Sequence, residues 1–502
     1  MKKVLLSIAC ISLGLCACKR NNTEPSGTTT TAAITSIEDV ADIVNNDEDR
    51  VENTTFSTSV ITISYDGNTA TFVNPWEGSG VEISNEGGNV VCTSTADERI
   101  EYIVSGSGTG SLKIYSDKNL KLTLSDLTIS NARGPAVNLQ GKKRQFIVLN
   151  GSNILTGKGY DTADGEEQAK AALFGEGQLI LSGEGSLSVT TTAKHGIASD
   201  DYVRIFGGNV TVNATGSSAC ADGIHCNDGF IMDGGSLTIN AYDEGILSGD
   251  DDDAGYCYLL GGTLSVTAQN GDGIKSYGNT LIHDGKISIN ALGSQSEGLE
   301  SKAQILLEGG QLEVEAYDDG INAATLLTIK GGWIYVKSAN NDAIDSNGDI
   351  AISGGVIVSI GSRDPETAFD IDEGSLTITG GTILGISPNN NMFVCPSTTS
   401  TQYSVWTTVS KSTVYNLSNS SESDAMNFEI PALSYSPKIL VSSPLITSGT
   451  NTLTPGVTLS GGTNWHGLHI DATHTGGSSG TSVSAQLGSA NSGMGGGPGG
   501  RP

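Results

Sequence analysis

The sequence predicts an all-β chain wound as a right-handed parallel β-helix, with about three short strands in each coil of 22–27 residues. Three observations carry this. Glycine pairs recur at Gly207-Gly208, Gly234-Gly235, Gly261-Gly262, Gly309-Gly310, Gly331-Gly332, Gly354-Gly355 and Gly380-Gly381, with Asp284-Gly285 holding the same beat. Two residues before each pair stands a large apolar residue: Ile205, Met232, Leu259, Ile282, Leu307, Ile329, Ile352 and Ile378. The composition of 67 Gly, 5% aromatic and 37% hydrophobic residues suits many short strands and tight turns better than large helices.

The elements follow in chain order. Lys2 and Lys3 precede an apolar run from Val4 to Leu15, and Leu15-Cys16-Ala17-Cys18 closes it with a small residue before a cysteine. That pattern reads as a lipoprotein signal over 1–17, with lipid attachment at Cys18 and export to a bacterial outer membrane or cell surface. Residues 18–35 read as a flexible tether. Over 36–59, Ile37, Val40, Ile43 and Val44 recur at helical spacing, so an N-terminal cap is expected over the open end of the solenoid.

The solenoid is expected over 60–388. Residues two apart on a strand share a face, so the apolar ladder before the glycines stacks inward while the residues between face water. After the glycines Val210/Val212, Leu237/Ile239, Leu264/Val266, Ile287/Ile289 and Leu312/Val314 repeat the alternation. A third strand follows Asp222-Gly223-Ile224, Glu244-Gly245-Ile246, Asp272-Gly273-Ile274, Glu297-Gly298-Leu299, Asp319-Gly320-Ile321 and Asp342-Ala343-Ile344. Beyond residue 388 the beat dissolves into a β-rich flanking or capping region, 389–480, and a Gly-rich tail, 481–502, expected to be disordered.

The formal charge of −29, from 55 acidic against 26 basic residues, argues against nucleic acid or anionic lipid as a direct partner. Much of the acid recurs at one position per coil, where coils ~4.8 Å apart would set like charges in a column. A second column stands three residues on. Oxygen ligands in such columns suit Ca2+, and the densest stretch supplies the candidate ligands Asp272, Glu297, Glu300, Asp319, Asn322, Asp342, Asp345, Asp370 and Asp372. The competing reading is that these acids cap turns, as Asp and Asn favour. The run Asp250-Asp251-Asp252-Asp253 reads as a solvated loop, and His466, His469 and His474, though able to bind a transition metal, read better as a surface loop. The cysteines beyond Cys18 have no metal-type spacing, and a Cys220–Cys226 disulfide stays open.

Trp333 and Tyr335 fall on outward positions of one strand and could stack on a sugar ring, with Tyr256, Tyr258 and Tyr277 nearby in the repeat.

The lipobox, the (Asp/Glu)-Gly-Ile and Gly-Gly pattern from Gly196 to Ile386, and the turns Ser442-Ser443-Pro444 and Ser448-Gly449-Thr450 together resemble the bacterial carbohydrate-binding β-helix family. The resemblance implies a polysaccharide-lyase-like fold, bound calcium, and binding of cellulose-like or polygalacturonate-like polymers. It points to a non-catalytic, monomeric surface lipoprotein whose partner is a polysaccharide and which meets membrane only through its anchor. Two rivals remain. A pectate-type lyase would need a base beside the calcium, for which Arg204, Lys275 and Lys302 are the outward-facing candidates. A structural adhesin would bind a protein through the open β-helix faces.

Overall fold

In the computed structural model, which describes residues 32–161, 167–216 and 221–489, strands at Ile61–Gly67 and Leu376–Pro388 bound a parallel β-solenoid of about 12 turns. A typical coil runs from a three-residue strand, Ile224–Cys226, to a second, Gly229–Met232, through the Gly234-Gly235 turn to a third, Ser236–Ala241. Each strand hydrogen-bonds in parallel to its equivalent one coil away, as in Ile224↔Ile246, Met232↔Leu259 and Leu237↔Leu264.

The expected inward ladder is present. Ile205, Met232, Leu259, Ile282, Leu307, Ile329, Ile352 and Ile378 pair in unbroken register, and none is more than 1% exposed. At the turns the second glycine adopts positive φ, and neighbouring backbone leaves no room for a side chain. At Gly310, φ is +74° and an added Cβ would lie 2.7 Å from the Gly285 oxygen. Gly310→Ala is therefore expected to cost about 1–3 kcal/mol, read as a melting temperature lowered by several degrees. An unchanged melt would contradict the strain.

The expectation that intervening residues face water fails on one flank. Arg204, Ile231, Tyr258, Leu281 and Leu306 form the outward register between the core ladders, and all are buried. Ile34, Val40 and Val44 cover them. The segment expected to cap the end of the stack thus runs along its side as short helical turns, Ile37–Val40, Ala41–Val44, Asp47–Asp49 and Val51–Asn53. Gln304 donates to the Ile34 carbonyl at 2.7 Å and Asn279 to that of Ala32 at 3.0 Å, while Asp49 reaches Arg144 and Arg204 many coils upstream. The N-terminal end is closed instead by two antiparallel hairpins, Ile61–Gly67 with Thr69–Val73 and Val81–Glu86 with Asn89–Ser94.

At the other end, Pro437–Ser442 pairs antiparallel with Ile383–Pro388 and terminates the parallel ladder. A six-stranded sheet that includes Thr413–Ser418, Met426–Ile430 and Gly449–Pro455 packs Tyr415, Leu417, Phe428 and Leu468 against Tyr335, Val358, Leu384 and Ile386 of the last coils. Thr481–Ala485, placed by sequence in the disordered tail, is a strand of this sheet, paired along Gly449–Leu453. Residues 490–502 and Cys18 lie outside the described residues. Cys226 is a buried free thiol, and its candidate partner Cys220 also lies outside them. Among the described residues no helix is long and apolar enough to cross a membrane.

Candidate functional site

The two acidic columns occupy the corner where each third strand turns into the short first strand of the next coil. Parallel register stacks the second column, Lys275↔Glu300↔Asn322↔Asp345↔Asp370. In the first column three acids accept a backbone N–H from the next coil, Asp272 from Glu297 at 2.8 Å, Asp319 from Asp342 at 3.0 Å, and Asp342 from Thr367, while Glu297 accepts from the Asn322 side chain at 3.3 Å. Turn capping is therefore real, and it uses one oxygen of each carboxylate.

The columns divide by charge balance. At the upstream end Lys275 lies between Asp272, at 3.1 Å, and Glu300, which also pairs with Lys302. Burial opposes ionisation of Glu300, yet the two lysines hold its carboxyl down at about 2. Downstream no base is interleaved in either column. Burial, then the neighbouring carboxylates, pushes Asp319 up to about 10, Asp342 to about 8 and Asp345 to about 7, and raises Glu297 well above its ordinary range. Glu297 Oε2 and Asp345 Oδ1 are shielded from water with no hydrogen-bond donor. Such oxygens are costly to bury, and an all-oxygen donor set of this kind fits a hard divalent cation. Of the nine predicted ligands, Glu297, Asp319, Asn322, Asp342, Asp345 and Asp370 belong to this under-neutralised stretch. Asp272 and Glu300 are taken up by lysine, and Asp372 is exposed, outside the second-column register.

The predicted bases and aromatic platforms fare differently. Arg204 is 1% exposed and ion-paired to Asp49 and Asp233, so it is a buried structural cation and not an outward base. Lys275 is held charged by its two carboxylates despite burial, which removes its capacity to take a proton. Lys302 is exposed and pairs with Glu300. Trp333 and Tyr335 do point outward, but the C-terminal sheet covers them: His466 stacks on Tyr335 at 3.7 Å and Trp465 meets Trp333 edge-on at 5.6 Å. Tyr258, stacked on Tyr256 at 4.7 Å, is buried under the N-terminal segment. Tyr277 alone among the five lies part-exposed on the turn beside Lys275 and away from both covers. The run at Asp250 is an exposed turn capped by its own Asp250 carboxylate.

One open face went unread in the sequence. The outward positions of the third strands stack as Ser188/Thr190, Thr211/Asn213, Thr238/Asn240, Ser265/Thr267 and Ser288/Asn290. All are partly exposed, and Asn240 donates to Asn213 at 3.0 Å. This is a flat array of short hydroxyls and amides bordering the acidic corner, and the repetition of Ser, Thr and Asn at fixed offsets was the signal for it.

A family model for carbohydrate-binding domain-containing proteins matches residues 78–343 and 294–402, most of the solenoid. The chain belongs to this carbohydrate-binding family. Carbohydrate is thus its ligand class. Among solved structures the chain is similar to the polysaccharide lyase-like protein from C. thermocellum, determined as a gadolinium derivative. The two are 20% identical with a TM-score of 0.41, over 49% of this chain and 96% of that one. No curated protein matches the chain.

Proposed function

We propose that the protein is a non-catalytic, calcium-dependent polysaccharide binder, exported and held at the cell surface by lipid on Cys18. The observation that carries the reading is the stretch of buried and half-buried carboxylates from Glu297 to Asp370 with no base interleaved in either column. Calcium held by Glu297, Asp319, Asn322, Asp342, Asp345 and Asp370 would neutralise the column and, at its solvent side, attract the carboxylate of an acidic sugar. The adjoining Ser/Thr/Asn face supplies hydrogen-bond donors and acceptors at a regular coil spacing of ~4.8 Å, suited to an extended sugar chain. Burial of Arg204 and pairing of Lys275 weigh against the lyase alternative.

The test is pull-down on pectate and on cellulose with calcium or a chelator, with ultraviolet monitoring for unsaturated uronides. Retention on at least one polymer is expected, with loss of at least tenfold in affinity on chelation and no absorbing product. Retention indifferent to chelation would remove calcium from the mechanism. Accumulating uronides would make the protein a lyase, and capture of a protein with no retention on any polymer would favour the adhesin.

A further inference from the structure

We propose that His195, Asp222 and His225 form a second, chemically different metal site, selective for a zinc-like divalent cation over calcium. The three come from adjacent coils at the upstream end of the acidic columns. His195 occupies in its coil the position that Asp222 and Glu244 hold in the next two, ahead of the paired strand residues Ile197, Ile224 and Ile246. His225 heads the second column, in register with Leu247 and then Lys275. Where the first column places carboxylate in the coils that follow, His195 places imidazole, and His225 adds a second from the next coil.

The geometry is that of a ligand set. Asp222 Oδ2 lies 3.0 Å from His195 Nδ1 and 2.9 Å from His225 Nδ1, and the two rings stack at 4.3 Å. The three groups offer ligand atoms all within 4.8 Å of one another. Neighbouring ligands on a zinc bound at ~2.0–2.2 Å lie ~3–3.5 Å apart, so two of the edges already fit. His195 is 5% and Asp222 2% exposed, and His195 Nδ1 and Asp222 Oδ1 are buried without a hydrogen-bond partner. The 3.0 Å approach of His195 to Asp222 is thus off the direction a hydrogen bond requires. His225 is about one-fifth exposed and leaves an approach from solvent.

The nearby positive charge of Lys170 is engaged by Asp200 at 2.9 Å and Asn227 at 3.0 Å. Asp243 and Glu244, grouped with Asp222 inside 4.8 Å, stand one coil on as further oxygen donors. Two imidazoles with carboxylate suit zinc, cobalt or nickel, whereas calcium takes oxygen. The site does not depend on the calcium reading, because none of its three ligands belongs to the Glu297–Asp370 stretch.

The experiment titrates metal-free full chain, without a polyhistidine tag, with Co2+ under a hundredfold excess of calcium, followed by displacement with Zn2+. One Co2+ per chain is expected, with the visible absorption of nitrogen-ligated cobalt, lost on adding one equivalent of zinc. His225→Gln, at the part-exposed position, should lower zinc affinity at least tenfold, and His195→Gln should do the same if it folds. Asp319→Asn, in the calcium stretch, should leave zinc affinity unchanged. No cobalt absorption by the wild-type chain, or His225→Gln binding like wild type, would overturn the site. Failure of calcium-dependent sugar binding would leave the cobalt result intact, so the two readings fall separately.

Discussion

Replacing Arg204 by methionine is expected to cost about 3–5 kcal/mol and to release the N-terminal segment from the side of the solenoid. The guanidinium makes five hydrogen bonds: two to Asp233, at 2.8 Å each, one to Asp49 at 3.0 Å, and one each to the carbonyls of Ile43 and Val44, at 3.2 and 2.6 Å. Methionine fills much of the volume but donates nothing. Asp49, itself 1% exposed, would retain Arg144 and Tyr202 at 2.8 and 2.5 Å yet lose the charge that faces it from the sheet. Removing one partner of a buried pair leaves the full desolvation cost of the other. The segment holds few other anchors, chiefly Ile34, Val40 and Val44 over Ile231, Tyr258, Leu281 and Leu306. Denaturant unfolding measures the loss, and limited proteolysis should cut within residues 32–56 far faster than in the wild type. A cost below about 1 kcal/mol with the segment still protected would show that apolar contact alone holds it.

The same residues mark what could be read in advance. The solenoid was legible because its period is enforced coil by coil: glycine at positive φ and an apolar residue two places before it cannot drift without breaking the stack. What covers the solenoid was not, because nothing periodic specifies it. The clue was present in the outward register, where Ile231, Tyr258, Leu281 and Leu306 are apolar at positions that the later coils fill with Thr328, Ala351 and Thr377. An apolar stripe on a face expected to meet water implies a cover. The same holds for Trp333 and Tyr335, which read as sugar platforms in isolation and, beside Val358 and Leu384, as an interface once the C-terminal sheet is in place. In the acidic columns position was legible and charge balance was not. Whether a carboxylate is neutralised depends on lysines two residues away or one coil over, such as Lys302 and Lys275 around Glu300, and that requires the register.

If calcium occupies the downstream columns, Asp342→Asn should change stability in opposite directions with and without the ion. Folding raises the Asp342 and Asp345 carboxyls from the usual range near 4 to about 8 and about 7, so the folded state binds protons that the unfolded state has released. For the chelated protein that contribution is complete below pH 4. It declines as pH rises through the folded values, so chelated stability should fall between pH 4 and pH 8. Asparagine keeps an oxygen to accept the Thr367 N–H and carries no charge, so the chelated variant should match or exceed the chelated wild type at pH 8. With calcium the order reverses. An ion that binds only the folded state at a hundred times its dissociation constant adds about 2.7 kcal/mol, and loss of a charged ligand forfeits much of it. Calcium should therefore raise the wild-type melting temperature by several degrees and that of Asp342→Asn by far less. Because the wild-type carboxyls are partly protonated near neutral pH, calcium uptake should also release protons, which calorimetry in buffers of different ionisation enthalpy detects. An Asp372→Asn control, altering an exposed acid off the register, should leave both melts unchanged. If Asp342→Asn destabilises the chelated protein as much as the calcium-loaded one, the column serves to cap turns and the ion is not its counter-charge.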